Sequence, residues 1–123
     1  MKDKIALIID DEIDICVLLT GILKQNGIKA TFTTSLSQGI NKLSVSDYDV
    51  LFLDNNLPDG SGLEKMKDIK NMHPGLRIIM ISAYDGDKER DTAKKNGAFF
   101  FLGKPLTTDM INGVLKNLYP EIN

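Results

Sequence analysis

The chain of 123 residues has no tryptophan, one cysteine, one histidine and four prolines. One cysteine cannot close an internal disulfide, so the chain must stand on a buried core, as expected in a reducing compartment. The one histidine, His73, sits beside Pro74 and reads as a surface helix end rather than a ligand. Charge of one sign is also missing: the net charge is −2, and no basic run occurs. Displacing phosphate counterions needs a positive patch, so direct nucleic-acid binding by this chain is not expected. No apolar stretch reaches membrane-spanning length, which argues against a membrane partner. Met1-Lys2-Asp3-Lys4 leads into only five apolar residues before acids follow, too few for a signal peptide. Low-complexity segments and interdomain linkers are absent. The expectation is a cytoplasmic protein, a single domain over residues 1–123. Folding at that length removes roughly two thirds of the unfolded surface from water.

What is present is alternation. Short apolar runs alternate with longer amphipathic stretches, the pattern of βα units. Strands are expected at Lys4–Ile9, Ile28–Thr34, Asp49–Leu53, Leu76–Ile81 and Ala98–Leu102. Helices are expected at Ile13–Gln25, from a Ser35 cap to Ser44, at Gly62–Met72, at Gly86–Lys95, and from a cap at Thr107 or Thr108 to Tyr119. Asn26-Gly27, His73-Pro74-Gly75 and Asn96-Gly97 supply the stops. Strict alternation implies an α/β fold: a doubly wound, flavodoxin-like, five-stranded parallel sheet with five helices. One such order, 2-1-3-4-5, is expected; it sets the first and third strands side by side, with the ligand crevice at their C-terminal ends. The second strand is less apolar and reads as an edge; the other four read as buried on both faces.

Four apolar runs each stop at polar groups. Ala6-Leu7-Ile8-Ile9 stops at Asp10-Asp11, Val50-Leu51-Phe52-Leu53 at Asp54, Ile78-Ile79-Met80-Ile81 at Ser82, and Phe99-Phe100-Phe101-Leu102-Gly103 at Lys104-Pro105. The intervals from Asp10 to Asp54, Ser82 and Lys104 are 44, 28 and 22 residues in turn. One βα unit takes roughly 20–30 residues, so the first interval skips one strand and all four polar ends meet at one sheet edge. Helix capping explains each acid alone but not the coordinated set. Clustered carboxylates repel one another and call for a cation. Oxygen-only ligands suit a hard ion, Mg²⁺ or Mn²⁺. Asp11 and Asp54 could bind it directly, Asp10 through water, and the backbone carbonyl of Asn56 could complete the set. With the Lys104 ammonium and the Ser82 hydroxyl, such a site suits a phosphoryl group in transfer, with a carboxylate as nucleophile.

Together, Ile9-Asp10-Asp11-Glu12, Leu53-Asp54-Asn55-Asn56-Leu57-Pro58-Asp59-Gly60-Ser61-Gly62, Ile81-Ser82-Ala83 and Phe101-Leu102-Gly103-Lys104-Pro105 resemble the receiver domain of two-component response regulators, of the single-domain chemotaxis and sporulation kind. The resemblance runs from the first strand to the last helix. It implies that Asp54 takes phosphate from a sensor histidine kinase or a histidine phosphotransfer protein. It places Asp11, Asp54 and the Asn56 carbonyl at the magnesium site, with Asp10 in the outer shell. It makes Lys104 the phosphoryl contact, Ser82 the switch hydroxyl and Phe101 the switch aromatic, and it implies a cis Lys104–Pro105 bond. Ala83 leaves room for the phosphoryl group. Tyr84 and Asn56 flank it, and Tyr84 is expected to slow hydrolysis of the aspartyl phosphate. The fourth helix, fifth strand and fifth helix would then switch and could carry a homodimer, an effector or an output domain.

Some positions depart from the commonest pattern. Ser82 replaces Thr, Leu57 replaces Met, Gly103 loosens the loop before Lys104, and Gly113 costs the last helix about 1 kcal/mol against Ala. The fourth helix, Asp87-Lys88-Glu89-Arg90-Asp91-Thr92, has little apolar stripe and reads as mobile. On the first helix Cys16 reads as a small apolar filler, and Ile13, Cys16 and Val17 extend the apolar surface toward a phosphodonor. The five methionines read as core. The tail Tyr119-Pro120-Glu121-Ile122-Asn123 fits either a single-domain regulator or part of a longer protein. Two rivals differ in kind. An aspartyl-nucleophile phosphatase of the haloacid dehalogenase type needs Asp two residues after the nucleophile, where this chain has Glu12. A receiver-like module that never takes phosphate would not need the complete site.

Overall fold

The structure, a computed structural model, describes residues 3–121. The readings of Met1 as core, of Met1-Lys2 as a non-secretory start and of Ile122-Asn123 as tail lie outside them. The elements run β1 (Ile5–Ile9), α1 (Ile13–Gln25), β2 (Lys29–Thr33), α2 (Leu36–Val45), β3 (Val50–Asp54), β4 (Asn56–Leu57), β5 (Gly60–Ser61), α3 (Gly62–Met72), β6 (Arg77–Ser82), α4 (Asp87–Lys95), β7 (Ala98–Gly103) and α5 (Thr108–Leu118). The main sheet is parallel, in the order β2-β1-β3-β6-β7. This is the doubly wound order expected, with the short pair β4 and β5 counted separately.

Period-two geometry explains the two layers. Ala6, Ile8, Phe52 and Ile79 point to one face, where Leu19 and Leu23 of α1 and Ile111 and Leu115 of α5 cover them. Leu7, Ile9, Leu51 and Leu53 point to the other, under Leu36 of α2, Met66 of α3 and Ala93 of α4. Strands covered on both sides must be apolar throughout, and β3 is buried at all five positions. Side-chain oxygens of Ser35, Ser61 and Thr107 accept N–H bonds from Gln38, Glu64 and Met110, capping α2, α3 and α5. Gly27 and Gly97, at φ 77° and 102°, turn the chain after α1 and α4.

Three expectations need correction. β7 is not buried on both faces: it is an edge strand, and Phe99 is 44% exposed. An apolar run signals burial on both faces only when neighbours cover it, and β7 has a strand on one side alone. Cys16 does not extend the exposed surface of α1; it is fully buried, while Ile13 and Val17 are exposed. Met72 lies at the open end of α3 and is exposed, unlike the buried Met66 and Met80. After Asp54, Asn56 and Leu57 pair antiparallel with Ser61 and Gly60.

Candidate functional site

The site is built where β1, β3, β6 and β7 end. The Asp10 N–H donates to the Thr33 carbonyl at 3.1 Å, which continues the β1–β2 ladder one residue further. Asp10 is therefore held in the sheet and is fully buried, and its Oδ1 accepts the Glu12 N–H at 2.8 Å. Asp54 closes β3, is 2% exposed, and its Oδ1 accepts the Asn56 N–H at 3.3 Å. Ser82 closes β6 and is buried; its Oγ accepts the Tyr84 N–H at 3.0 Å and keeps a proton to donate. Lys104 follows β7, and its N–H donates to the Ser82 carbonyl at 2.8 Å. The Lys104–Pro105 bond is cis.

Lys104 Nζ joins the ends. It lies 2.6 Å from Glu12 Oε1, 3.2 Å from Asp10 Oδ2 and 3.5 Å from Asp54 Oδ2. Asp10 Oδ2 is buried and meets this ammonium as an ion pair. Burial, then the charge of Asp10, pushes the Asp54 carboxyl up to about 6, against the pull of Lys104 and the Asn56 N–H. Burial likewise raises Asp10. Burial favours neutral Lys104, but the Glu12 hydrogen bond and the charges of Asp54 and Asp10 outweigh it and raise its pKa.

This donor set fits a hard cation. One ammonium faces Asp10, Glu12 and Asp54, with Asp11 alongside, so several acids share a single cation. Asp10, Asp11 and Glu12 can each offer an oxygen within 4.8 Å of the others. A divalent ion would offset the burial and the like charge that hold Asp54 up.

Other expected site residues stand further out. Asp11, Asn56, Ala83 and Tyr84 are exposed. Phe101 is half-buried, its ring centroid 5.0 Å from the Arg90 guanidinium. Two structural residues were missed. Asn55 Oδ1 accepts the Ser61 hydroxyl at 2.8 Å and the Leu63 N–H at 3.0 Å, which fixes the turn beyond Asp54. Asp59 accepts the Leu36 and Ser37 N–H groups and ties that turn to the start of α2. Asn and Asp in a turn are the signal that could have found both. A Cβ at Gly103 would meet the Asp85 carboxylate.

The sequence matches the response regulator receiver domain family over residues 6–116. The chain belongs to this family. Receivers are the phosphoacceptors of two-component signalling, and this one has the receiver fold and a receiver's cluster of strand-end acids. The response regulator protein PilR of Pseudomonas aeruginosa is 36% identical over 106 residues, covering 86% of this chain and 24% of its own length. A two-component response regulator from Clostridium difficile superposes with a TM-score of 0.90 at 28% identity, over 96% of this chain and 97% of that one. The beryllofluoride-activated NtrC4 receiver domain dimer gives 0.88 at 28% identity, over 95% and 97%. The receiver spans about a quarter of the length of the curated relatives it matches. No helix among its described residues is long and apolar enough to cross a membrane.

Proposed function

We propose that the receiver accepts a phosphoryl group on Asp54 from a phosphohistidine, with Mg²⁺ or Mn²⁺ bound. The observation that carries this reading is the convergence of three strand ends, with Asp10 and Asp54 within 3.5 Å of the Lys104 ammonium. Asp11, Asp54 and the Asn56 carbonyl would hold the cation directly, with Asp10 acting through water. When bound, the cation supplies positive charge to the phosphoryl oxygens. An Asp54 oxygen forms the bond to phosphorus as the P–N bond to the donor imidazole breaks; the electron pair leaves with the imidazole, which takes a proton from water. Lys104 and the Ser82 hydroxyl donate to the phosphoryl oxygens. Ala83 leaves space, Tyr84 and Asn56 limit water, and Phe101 reports the change.

Residues 1–123 act as one receiver unit in this reading. It assists its own phosphotransfer and dephosphorylation and turns over no other substrate. The donor is a sensor histidine kinase or a histidine phosphotransfer protein in the cytoplasm. Phosphorylation shifts a two-state equilibrium of α4, β7 and α5, the surface for an effector, an output domain or a second copy. The dimer of the activated NtrC4 receiver supports the last of these. Nucleic acid and membrane are not partners of the receiver itself.

Incubation with acetyl phosphate and Mg²⁺, read by intact mass, tests the reading. One phosphoryl group should add to the wild type and none to Asp54→Asn. Steady release of free phosphate would indicate a phosphatase, and no adduct on the wild type would indicate a passive module.

A further inference from the structure

Lys104 is held most tightly by a residue outside the phosphoryl chemistry. Its ammonium is 2.6 Å from Glu12 Oε1 and donates a hydrogen bond there, while Asp10 Oδ2 and Asp54 Oδ2 are 3.2 and 3.5 Å away. Glu12 is no loose partner. Its N–H donates to Asp10 Oδ1 at 2.8 Å, and its carbonyl accepts the Ile15 and Cys16 N–H groups at 3.1 and 3.2 Å. The backbone at Glu12 is thus locked between the buried acid and the first turn of α1. Its carboxylate is 59% exposed and stands at the mouth of the site. Lys104 is only 12% exposed, so its charge lies between a solvated acid outside and two buried acids inside.

We infer that Glu12 is a positioning residue for Lys104: it holds the ammonium at the mouth and competes with the phosphoryl group for it. The inference rests on the phosphoacceptor reading above. An ammonium is a compact point charge with three donors on a flexible stem, so it can exchange one acid for another without backbone movement. Phosphoryl oxygens on Asp54 offer Lys104 charge-assisted hydrogen bonds. Reaching them requires release of the Glu12 bond. The energy of that bond is a differential between resting and phosphorylated states, and it lowers the apparent affinity for phosphate. Removing the Glu12 charge should therefore favour the phosphorylated form, provided Lys104 is present.

Beryllofluoride, which seats on a carboxylate as a phosphoryl mimic, is titrated at saturating Mg²⁺ into four proteins: wild type, Glu12→Gln, Lys104→Ala and the double variant. Glu12→Gln should tighten the mimic by about twofold to fivefold, the range for a half-solvated ion pair. In the Lys104→Ala background the same change should do nothing. A readout without metal accompanies it: in chelator, the Lys104 ammonium resonance should shift in Glu12→Gln. Weaker mimic binding in both backgrounds would overturn the inference and make Glu12 part of the cation site. Unchanged affinity in the Lys104 protein, with an unshifted resonance, would leave Glu12 only as the residue that precedes α1 and overturn it too. Failure of the wild type to bind the mimic would overturn the phosphoacceptor reading itself, and this inference with it.

Discussion

Asp54 is costly to keep ionised without a cation. Its carboxyl is 2% exposed and faces Asp10, so burial and then like charge raise its pKa from 3.8 to about 6. A raised acid favours the folded state while protonated. That contribution is present below pH 3.8 and is lost as pH rises through about 6. Metal-free Asp54→Asn should therefore match the wild type at acid pH and exceed it by roughly 1–3 kcal/mol at neutral pH. Urea unfolding in chelator across that range measures the difference, and added Mg²⁺ should narrow it by stabilising the wild type alone. A second residue-scale expectation concerns Tyr84. It is 66% exposed beside Ser82, and if it screens the phosphate, Tyr84→Ala should hasten loss of label in a radiolabelled chase.

Two elements carry the geometry of the site outward. α3 starts against the end of β3, because a Cβ at Gly62 would collide with the Asp54 carbonyl and lie 2.9 Å from Leu53 Cγ. Gly62→Ala must push the helix from the strand. We expect a loss of about 1–3 kcal/mol in urea unfolding, and slower labelling by acetyl phosphate. α4 is the opposite case. Only Ala93 of its residues is buried, so it has little core to hold it. Arg90 does that work with polar contacts: Nε to the Asp85 carbonyl at 3.0 Å, Nη1 to the Phe101 carbonyl at 3.4 Å, and the guanidinium over the Phe101 ring. Arg90→Ala should speed hydrogen exchange of α4 amides by up to about tenfold while leaving β3 amides unchanged.

At the scale of the molecule, the core and the exposed face of α1 separate cleanly. Phe52 is fully buried in the central strand, and Phe52→Ala should cost about 3–5 kcal/mol in urea unfolding. Val17 is 59% exposed on α1, and Val17→Glu should change stability by about 0.5 kcal/mol or less. If that face receives the phosphodonor, the same change should slow transfer from a phosphorylated histidine protein but not from acetyl phosphate. The order of elements was legible because strands and helices differ in period. The strand-end groups Asp10, Asp54, Ser82 and Lys104 were legible because each ends an apolar run, and a parallel sheet brings such ends to one edge. Glu12, Asn55 and Asp59 were not, since the acts of a surface acid or a turn amide depend on which neighbour folding brings within 3 Å. The exposure of β7 and the Arg90 hold on α4 were hidden for the same reason. Sequence alone determined the alternation, the doubly wound class and the side on which the acids gather, because periodicity is local and the handedness of crossovers is general. Only the tertiary structure decided which acid holds Lys104 and how far burial raises Asp54, because both depend on distances and desolvation between residues far apart in the chain.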